Sequence, residues 1–94
     1  MEFDQQVRRS ERVAFRELAG NEGGVLLHLD SGAYHGLNQV GTLIWNLIGE
    51  GTSLADLVEA VRSGLTDVPA DLQSDVETFI ADLVERDLLT LPAG

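Results

Sequence analysis

The sequence predicts a single α+β domain in which a three-stranded antiparallel sheet at the N-terminus is followed by three helices. Three observations favour this class. Three short runs near the N-terminus are rich in β-branched, aromatic or leucine residues and are separated by glycine-containing turns. From residue 38 onward, apolar residues recur at helical spacing in three stretches divided by glycine or proline. A chain of 94 residues is long enough for one core and short for two.

The predicted strands are Val13–Leu18, Val25–Asp30 and Ala33–Leu37, the last two joined as a hairpin. A two-residue turn at Ser31-Gly32 would divide the apolar side chains of the hairpin between its two faces. A three-residue turn with Gly32 left-handed places them on one face, and burial favours that register. The shared face would hold Val25, Leu27, Leu29, Ala33, His35 and Leu37.

The helices are predicted from their caps and apolar stripes. Asn38 is a favourable N-cap for the first helix, which ends at Gly49. Ser53 caps the second helix, and Pro69 suits the first turn of a third that runs to about Arg86. The stripe of the third helix covers roughly 140°, so part of it is expected to floor a groove, although core packing is the simpler interpretation for any single member. The stripe consists of Leu72, Val76, Phe79, Ile80, Leu83 and Val84.

Charge is distributed unevenly along the chain, whose net charge is −10. Residues 1–16 carry four arginines against three acidic residues, whereas residues 17–94 carry thirteen acidic residues against two arginines, a balance of −11. Residues 17–94 are therefore expected to repel nucleic acid and to attract cationic partners. Residues 1–12 are predicted to be a flexible tail, with the folded domain spanning 13–91.

The same sequence gives no indication of catalysis, of a cofactor or of a metal site. There is no cysteine, no nucleophile–base pair and no phosphate-binding motif in a suitable context. His28 and His35 are too few for a metal site, and the favoured register places them on opposite faces. The lack of a nucleophile–base pair predicts that the protein is not an enzyme. The absence of a long apolar run and of an apolar signal core predicts a soluble, cytoplasmic protein with no membrane partner.

One stretch does suggest a binding function. Ala33–Leu37 is predicted to be an exposed sheet edge, and a peptide can add to such an edge as a further strand. Side chains of that peptide would enter a groove between this strand and the third helix, with charged residues at its rim. The predicted site comprises Ala33, Tyr34, His35, Gly36, Leu37, Asp75, Val76, Phe79, Asp82, Leu83 and Arg86.

Three segments together resemble the PqqD-like family of peptide-recognition domains. Leu26–Trp45 reads LLHLDSG-x-Y-x-x-LN-x-x-G-x-x-IW, Ser53–Val61 reads SLADLVEAV, and Asp75–Leu89 reads DV-x-x-FI-x-x-L-x-x-x-x-LL. The resemblance implies a winged-helix-like fold. It also implies that the leader segment of a ribosomally synthesised precursor peptide binds as an antiparallel strand on the third strand.

Within the family, the chain looks most like the stand-alone leader-binding proteins of lasso peptide biosynthesis. That likeness implies three partners: the precursor leader, a cysteine-protease-like leader peptidase and, as a further candidate, the ATP-dependent cyclase. The rival within the family is a peptide chaperone for a radical SAM enzyme in PQQ biosynthesis, whose pattern departs from this sequence at Gly41, Trp45 and Ile48–Glu50.

Two alternatives lie outside the family. A winged-helix DNA-binding regulator is one, although its recognition helix would need more basic residues than Arg62 or Arg86. The other is that the strand edge is already occupied, either by its own copy in a dimer or by the N-terminal tail.

Overall fold

The computed structural model describes Glu2 and residues 4–92. Its elements confirm the α+β class and the three helices, but the strands number six and form two sheets. In chain order the elements are β1 (Gln6–Arg9), β2 (Val13–Glu17), a 3-10 turn (Ala19–Asn21), β3 (Gly24–His28), β4 (Tyr34–Leu37), α1 (Gln39–Ile48), β5 (Thr52–Ser53), α2 (Leu54–Gly64), α3 (Leu72–Glu85) and β6 (Leu89–Thr90).

The second sheet corrects the prediction that residues 1–12 are a tail, since β1 lies within them. This strand is central in the order β5-β1-β6, and the side chain of Val7 is fully buried. Backbone hydrogen bonds from Ser10 N to Leu88 O (3.1 Å) and from Leu54 N to Gln5 O (2.9 Å) extend the pairing at both ends. A strand with one buried apolar residue has no periodicity to reveal it, so its partners far along the chain decide its structure.

The first sheet is an antiparallel meander in the order β2-β3-β4, close to the three predicted strands. Its hairpin register is not the predicted one, because the turn contains four residues, 29–32. Leu26 pairs with His35 and Gly24 with Leu37. Leu26 and Leu37 therefore face the core, whereas Leu29, predicted to be buried, is 48% exposed.

Side-chain hydrogen bonds stabilise this longer turn. The Nδ1 atom of His28 accepts from the backbone N–H of Asp30 (3.3 Å) and of Ser31 (3.4 Å). The Ser31 hydroxyl accepts from Ala33 N (3.2 Å), and Gly32 is left-handed, with φ 74°, as predicted. Hydrophobic patterning cannot detect such local bonds, which explains the error of one residue in register.

The helix caps follow the sequence closely. The Asn38 side chain accepts from Gly41 N at 2.7 Å and opens α1, and the Ser53 hydroxyl accepts from Asp56 N at 3.2 Å and opens α2. The third helix departs from the prediction at its start: it begins at Leu72, so Pro69, predicted to lie in its first turn, precedes the helix. None of the helices in the described part of the chain is long and apolar enough to cross a membrane.

The core lies between the helices and the inner face of the meander. Trp45 of α1 is nearly fully buried there and contacts both sheets. Its ring centroid lies 6.2 Å from that of Phe15 in β2, and the Arg9 guanidinium of β1 lies 4.9 Å from it. The outer face of the meander is exposed or only half-buried, and the Tyr34 side chain on that face is 75% exposed.

Candidate functional site

The free edge of β4 is the centre of the site. Within the described residues, β4 pairs only with β3, so its other edge is open. The bond from His28 N to Ala33 O (2.9 Å) fixes which β4 residues face β3. By the alternation of an antiparallel ladder, His35 and Leu37 bond to β3, whereas Tyr34 and Gly36 direct their N–H and C=O groups outward. The edge therefore offers two donors and two acceptors to an incoming strand.

Helix α3 lies beside β4 and runs in the opposite direction. Its Phe79 ring reaches the start of α1: a Cβ built on Gly41 would lie 3.1 Å from the ring and 3.5 Å from Leu37 Cβ. At the other end of β4, Arg86 lines a hollow together with Ala33 and other residues of the hairpin. The segment from Asp75 to Arg86 rises about 16 Å, which is about the length of five extended residues. Residues of α3 and its C-cap therefore lie near both ends of β4, with Phe79 at the C-terminal end and Arg86 at the N-terminal end.

Two separate recesses, each of about 230 Å³, lie near the ends of β4, where the groove between β4 and α3 was predicted. The recess beyond the C-terminal end of β4 is mostly apolar, with Asp67 and Asp75 among its residues. The recess at the N-terminal end of β4 is lined by His28, Ser31, Ala33, Tyr34, His35, Arg86 and Leu88. The first recess therefore has two carboxylates and no cationic side chain among its lining residues. The second is lined by Arg86, which is the C-cap residue of α3.

The predicted groove residues differ in how far they reach the surface. Phe79 is half-buried and borders the apolar recess. Val76 borders the same recess but has no exposed surface, and Leu83 is likewise fully buried in the core. The wide stripe of α3 is thus occupied largely by contacts with the core, and Phe79 is its main accessible member in the groove.

The predicted rim charges are exposed to solvent. Asp75 lies in the first turn of α3, whose positive end favours a carboxylate. The Nε atom of Arg86 lies 3.1 Å from Oδ1 of Asp82, and the two side chains are about half exposed. Such a surface pair contributes little to stability and leaves both groups available to a ligand.

The turn that leads into β4 carries one further ion pair. Arg12 Nη2 lies 2.9 Å from Asp30 Oδ1, and this hydrogen bond lowers the pKa of the Asp30 carboxyl. The same bond raises the pKa of the Arg12 guanidinium. Together with the bonds to His28 Nδ1, it fixes the start of the edge strand.

The histidines do not lie as predicted. The observed register places His28 and His35 on the same face of the hairpin, and both border the same recess. Among the described residues no group of His, Cys, Asp and Glu is arranged to hold a metal ion. The His28 Nδ1 atom is already a hydrogen-bond acceptor in the turn.

Sequence reasoning missed several residues that line the groove. Leu88 closes one recess because Asp87, with φ 61°, reverses the chain after α3. The start of α1, including Asn38, Val40 and Gly41, lines the other recess. Only the cap at Asn38 had a sequence signal, and it indicated a helix start rather than a binding surface.

Comparison with known proteins gives matches in family and in structure. Residues 23–89 match the family described as Coenzyme PQQ synthesis protein D (PqqD). Among solved structures the chain is similar to TbiB1 in complex with the TbiA(beta) leader peptide, with 30% identity, a TM-score of 0.78 and coverage of 93% of this chain and 99% of that one. It is also similar to lasso peptide synthetase B1 complexed with the leader peptide, with 26% identity, a TM-score of 0.71 and coverage of 89% and 96%.

A third solved structure supports the fold alone. It is the solution NMR structure of the PqqD truncation of Methylobacterium extorquens PqqCD, a stand-alone recognition element for ribosomally synthesised and modified peptides. Its identity is 16% and its TM-score 0.75, with coverage of 96% of this chain and 94% of that one. No curated protein sequence gives a significant match.

Proposed function

The chain belongs to the PqqD family, as its sequence motifs predicted, and on that basis we propose that it binds the leader segment of a ribosomally synthesised precursor peptide as an additional strand on β4. The observation that carries the proposal is the open edge of β4, with an apolar recess bordered by Phe79 just beyond its C-terminal end. Two similar structures, TbiB1 and lasso peptide synthetase B1, are complexes with leader peptides. They support a leader of the lasso peptide class over the PQQ-type alternative, because the PqqD structure shares only 16% identity.

The leader would be held mainly by its backbone. Its N–H and C=O groups would pair with those of Tyr34 and Gly36, and alternate side chains would enter the groove. Phe79 would contact apolar leader residues, with Val76 and Leu83 as the rigid packing behind it. A few apolar anchors and one short ladder are sufficient for an affinity of about micromolar, or about 8 kcal/mol.

The rim charges would set the direction and position of the leader. Asp75 stands at one end of the groove and Arg86, beside Asp82, at the other. Leader charges placed to meet them would be favoured in one orientation and repelled in the other. We propose the antiparallel orientation, which every strand pair among the described residues adopts.

The protein would perform no chemistry itself. We propose that it delivers the bound precursor to a cysteine-protease-like leader peptidase, and after that to an ATP-dependent cyclase, by raising the local concentration of the precursor at these enzymes. We also propose that the β3–β4 hairpin and the three helices form a winged-helix-type arrangement, used here for a peptide rather than for DNA. The excess of acidic residues in 17–94 favours a peptide ligand over DNA, since phosphate binding needs clustered positive charge.

Backbone methylation of the peptide tests strand addition directly. Fluorescein-labelled leaders, taken from TbiA(beta) and from precursors encoded beside this chain, would be titrated with the protein and followed by fluorescence anisotropy. N-methylation at successive leader positions should abolish binding only at alternate positions, because only every second N–H faces β4. Binding that tolerates methylation everywhere, or that fails for every leader, would contradict the proposal.

A further inference from the structure

Gly36 has no explanation within the described part of the chain. Of the nine glycines described, five have a positive φ, as a left-handed backbone requires: Gly20, Gly23, Gly32, Gly49 and Gly51. At Gly24, Gly41 and Gly64 an added Cβ would approach another residue within 3.2 Å. Gly36 has neither feature, since its φ is not positive and a Cβ there would meet nothing within 4 Å.

A glycine in the interior of a strand weakens it, because it has no side chain to pack and a large conformational freedom to lose. Its presence in a strand often indicates that another group approaches the backbone closely. At Gly36 the space is open to solvent in the free protein. No group of the described residues approaches Gly36, which leaves a bound partner as the candidate for such a group.

The position of Gly36 shows where that partner lies. Its N–H and C=O groups face the free edge, so under the proposed function a leader residue pairs directly with it. Side chains of paired residues lie on the same face of the sheet, here the outer face, away from the α3 groove. The paired leader side chain would lie across the bare backbone of Gly36 toward Val25, its cross-strand partner in β3.

The surroundings of Gly36 favour a large apolar side chain. Tyr34, two residues earlier on the same face, is 75% exposed and lies next to the open space at Gly36. Val25 and Leu27 are half-buried behind it and add apolar surface. An aromatic ring placed on a glycine in a neighbouring strand gains contacts that a Cβ at that site would block.

We propose that Gly36 is a specificity-determining residue, which selects leader peptides with a large apolar, preferably aromatic, side chain opposite it on the outer face of the sheet. This inference rests on the proposed strand addition. It adds a second contact surface, opposite to the α3 groove, so that alternate leader residues are recognised on both faces.

A peptide display library of random sequence is the probe. Selections would be performed on the wild-type protein, on Gly36→Val and on a matched control, Ala14→Val, an exposed position on the same face but on the far strand β2. We expect wild type and control to enrich large apolar residues at one position of the aligned binders. Gly36→Val should enrich small residues at that position. A wild-type binder tested on Gly36→Val should lose about tenfold in affinity and regain it when that residue is shortened to Ala.

Thermal stability distinguishes a change in peptide selectivity from misfolding of the variant. Gly36→Val should leave Tm unchanged or raise it, since valine favours strands and space is available. Gly36→Ala serves as a milder second variant, with a shift in the same direction. Identical selection profiles for wild type and both variants would overturn the inference while leaving strand addition intact. A library that yields no binder to the wild type would contradict strand addition itself, and the inference with it.

Discussion

At the residue scale, Arg9 links the second sheet to the first helix. Its Nη2 and Nε atoms donate to the carbonyl oxygen of Trp45 at 2.8 and 3.3 Å, and the guanidinium lies 4.9 Å from the centroid of the Trp45 ring. This carbonyl belongs to the last turn of α1, where backbone acceptors lack helical partners and where a cation is favoured. Partial burial lowers the pKa of Arg9, which nonetheless stays charged.

Replacement of Arg9 by alanine should therefore destabilise the fold. We expect Arg9→Ala to lower the free energy of unfolding by about 1–3 kcal/mol, because a charged hydrogen bond and a cation–π contact are lost. Urea unfolding followed by circular dichroism would measure it. Arg8→Ala is the matched control, since the Arg8 side chain makes no hydrogen bond or ion pair within the described residues. Equal effects of the two substitutions would contradict the capping role.

The Asp30–Arg12 pair gives a prediction for pH. The folded-state pKa of Asp30 is lowered, chiefly by the hydrogen bond from Arg12, so its contribution is present above the unfolded pKa and is lost as pH falls through the folded pKa. Both side chains are 59% exposed, so the effect is small. Asp30→Asn should lower the stability slightly at neutral pH, leave it nearly unchanged in acid, and so flatten the acid limb of the stability curve. A steeper acid limb in the variant would refute this assignment.

At the element scale, the most reliable predictions from the sequence were those that depend on a few neighbouring residues. The caps at Asn38 and Ser53 are decided within three residues, and both were predicted correctly. The β3–β4 register was wrong because His28 and Ser31 side chains stabilise a longer turn. Strand β1 was missed because its partners lie at the far end of the chain. The identity of the edge strand was predictable, since Ala33–Leu37 is followed at once by a helix cap.

The open edge of β4 can be tested from the protein side. Tyr34→Pro removes an N–H that faces the free edge, and Tyr34→Ala removes the ring but keeps that N–H. We expect the proline variant to bind a leader about tenfold more weakly than the alanine variant, because a ligand carbonyl then lacks its donor. Their thermal stabilities should be similar, as the ladder to β3 does not use this N–H. Equal affinities would mean that the leader does not pair at this edge.

The burial of the α3 stripe changes how the groove should be probed. Val76 is fully buried, so Val76→Asp should cost about 3 kcal/mol or more in unfolding free energy, as an unpaired charge enters the core. Thr78→Asp, on the exposed side of the same helix, should change it by less than about 0.5 kcal/mol. Chemical denaturation of both variants would measure the difference. The site residues themselves stay a prediction, best tested at Phe79, Asp75 and Arg86.

At the scale of the whole molecule, the second sheet joins the two ends of the described chain. Strand β1 lies between β5 and β6, and Val7 is fully buried in the common core. A chain that begins at residue 12 should therefore lose about 3–5 kcal/mol of stability, from the burial of Val7, the Arg9 contacts and the ladder bonds. A chain that begins at residue 5 keeps these groups and is the control. Similar melting temperatures for both would instead support the predicted domain boundary at residue 13.

The pairing of β1 with β6 also has a consequence for synthesis. Arg8 and Thr90, paired across these strands, are separated by 82 positions, whereas the β2–β3–β4 meander closes within residues 13–37. Contacts between distant positions form late, since the intervening chain must first be available. A ribosome that has translated as far as α3 therefore carries a nascent chain in which the β2–β3–β4 meander can already be in place. The pairing of β1 with β6 can form only after Leu89 and Thr90 have left the exit tunnel.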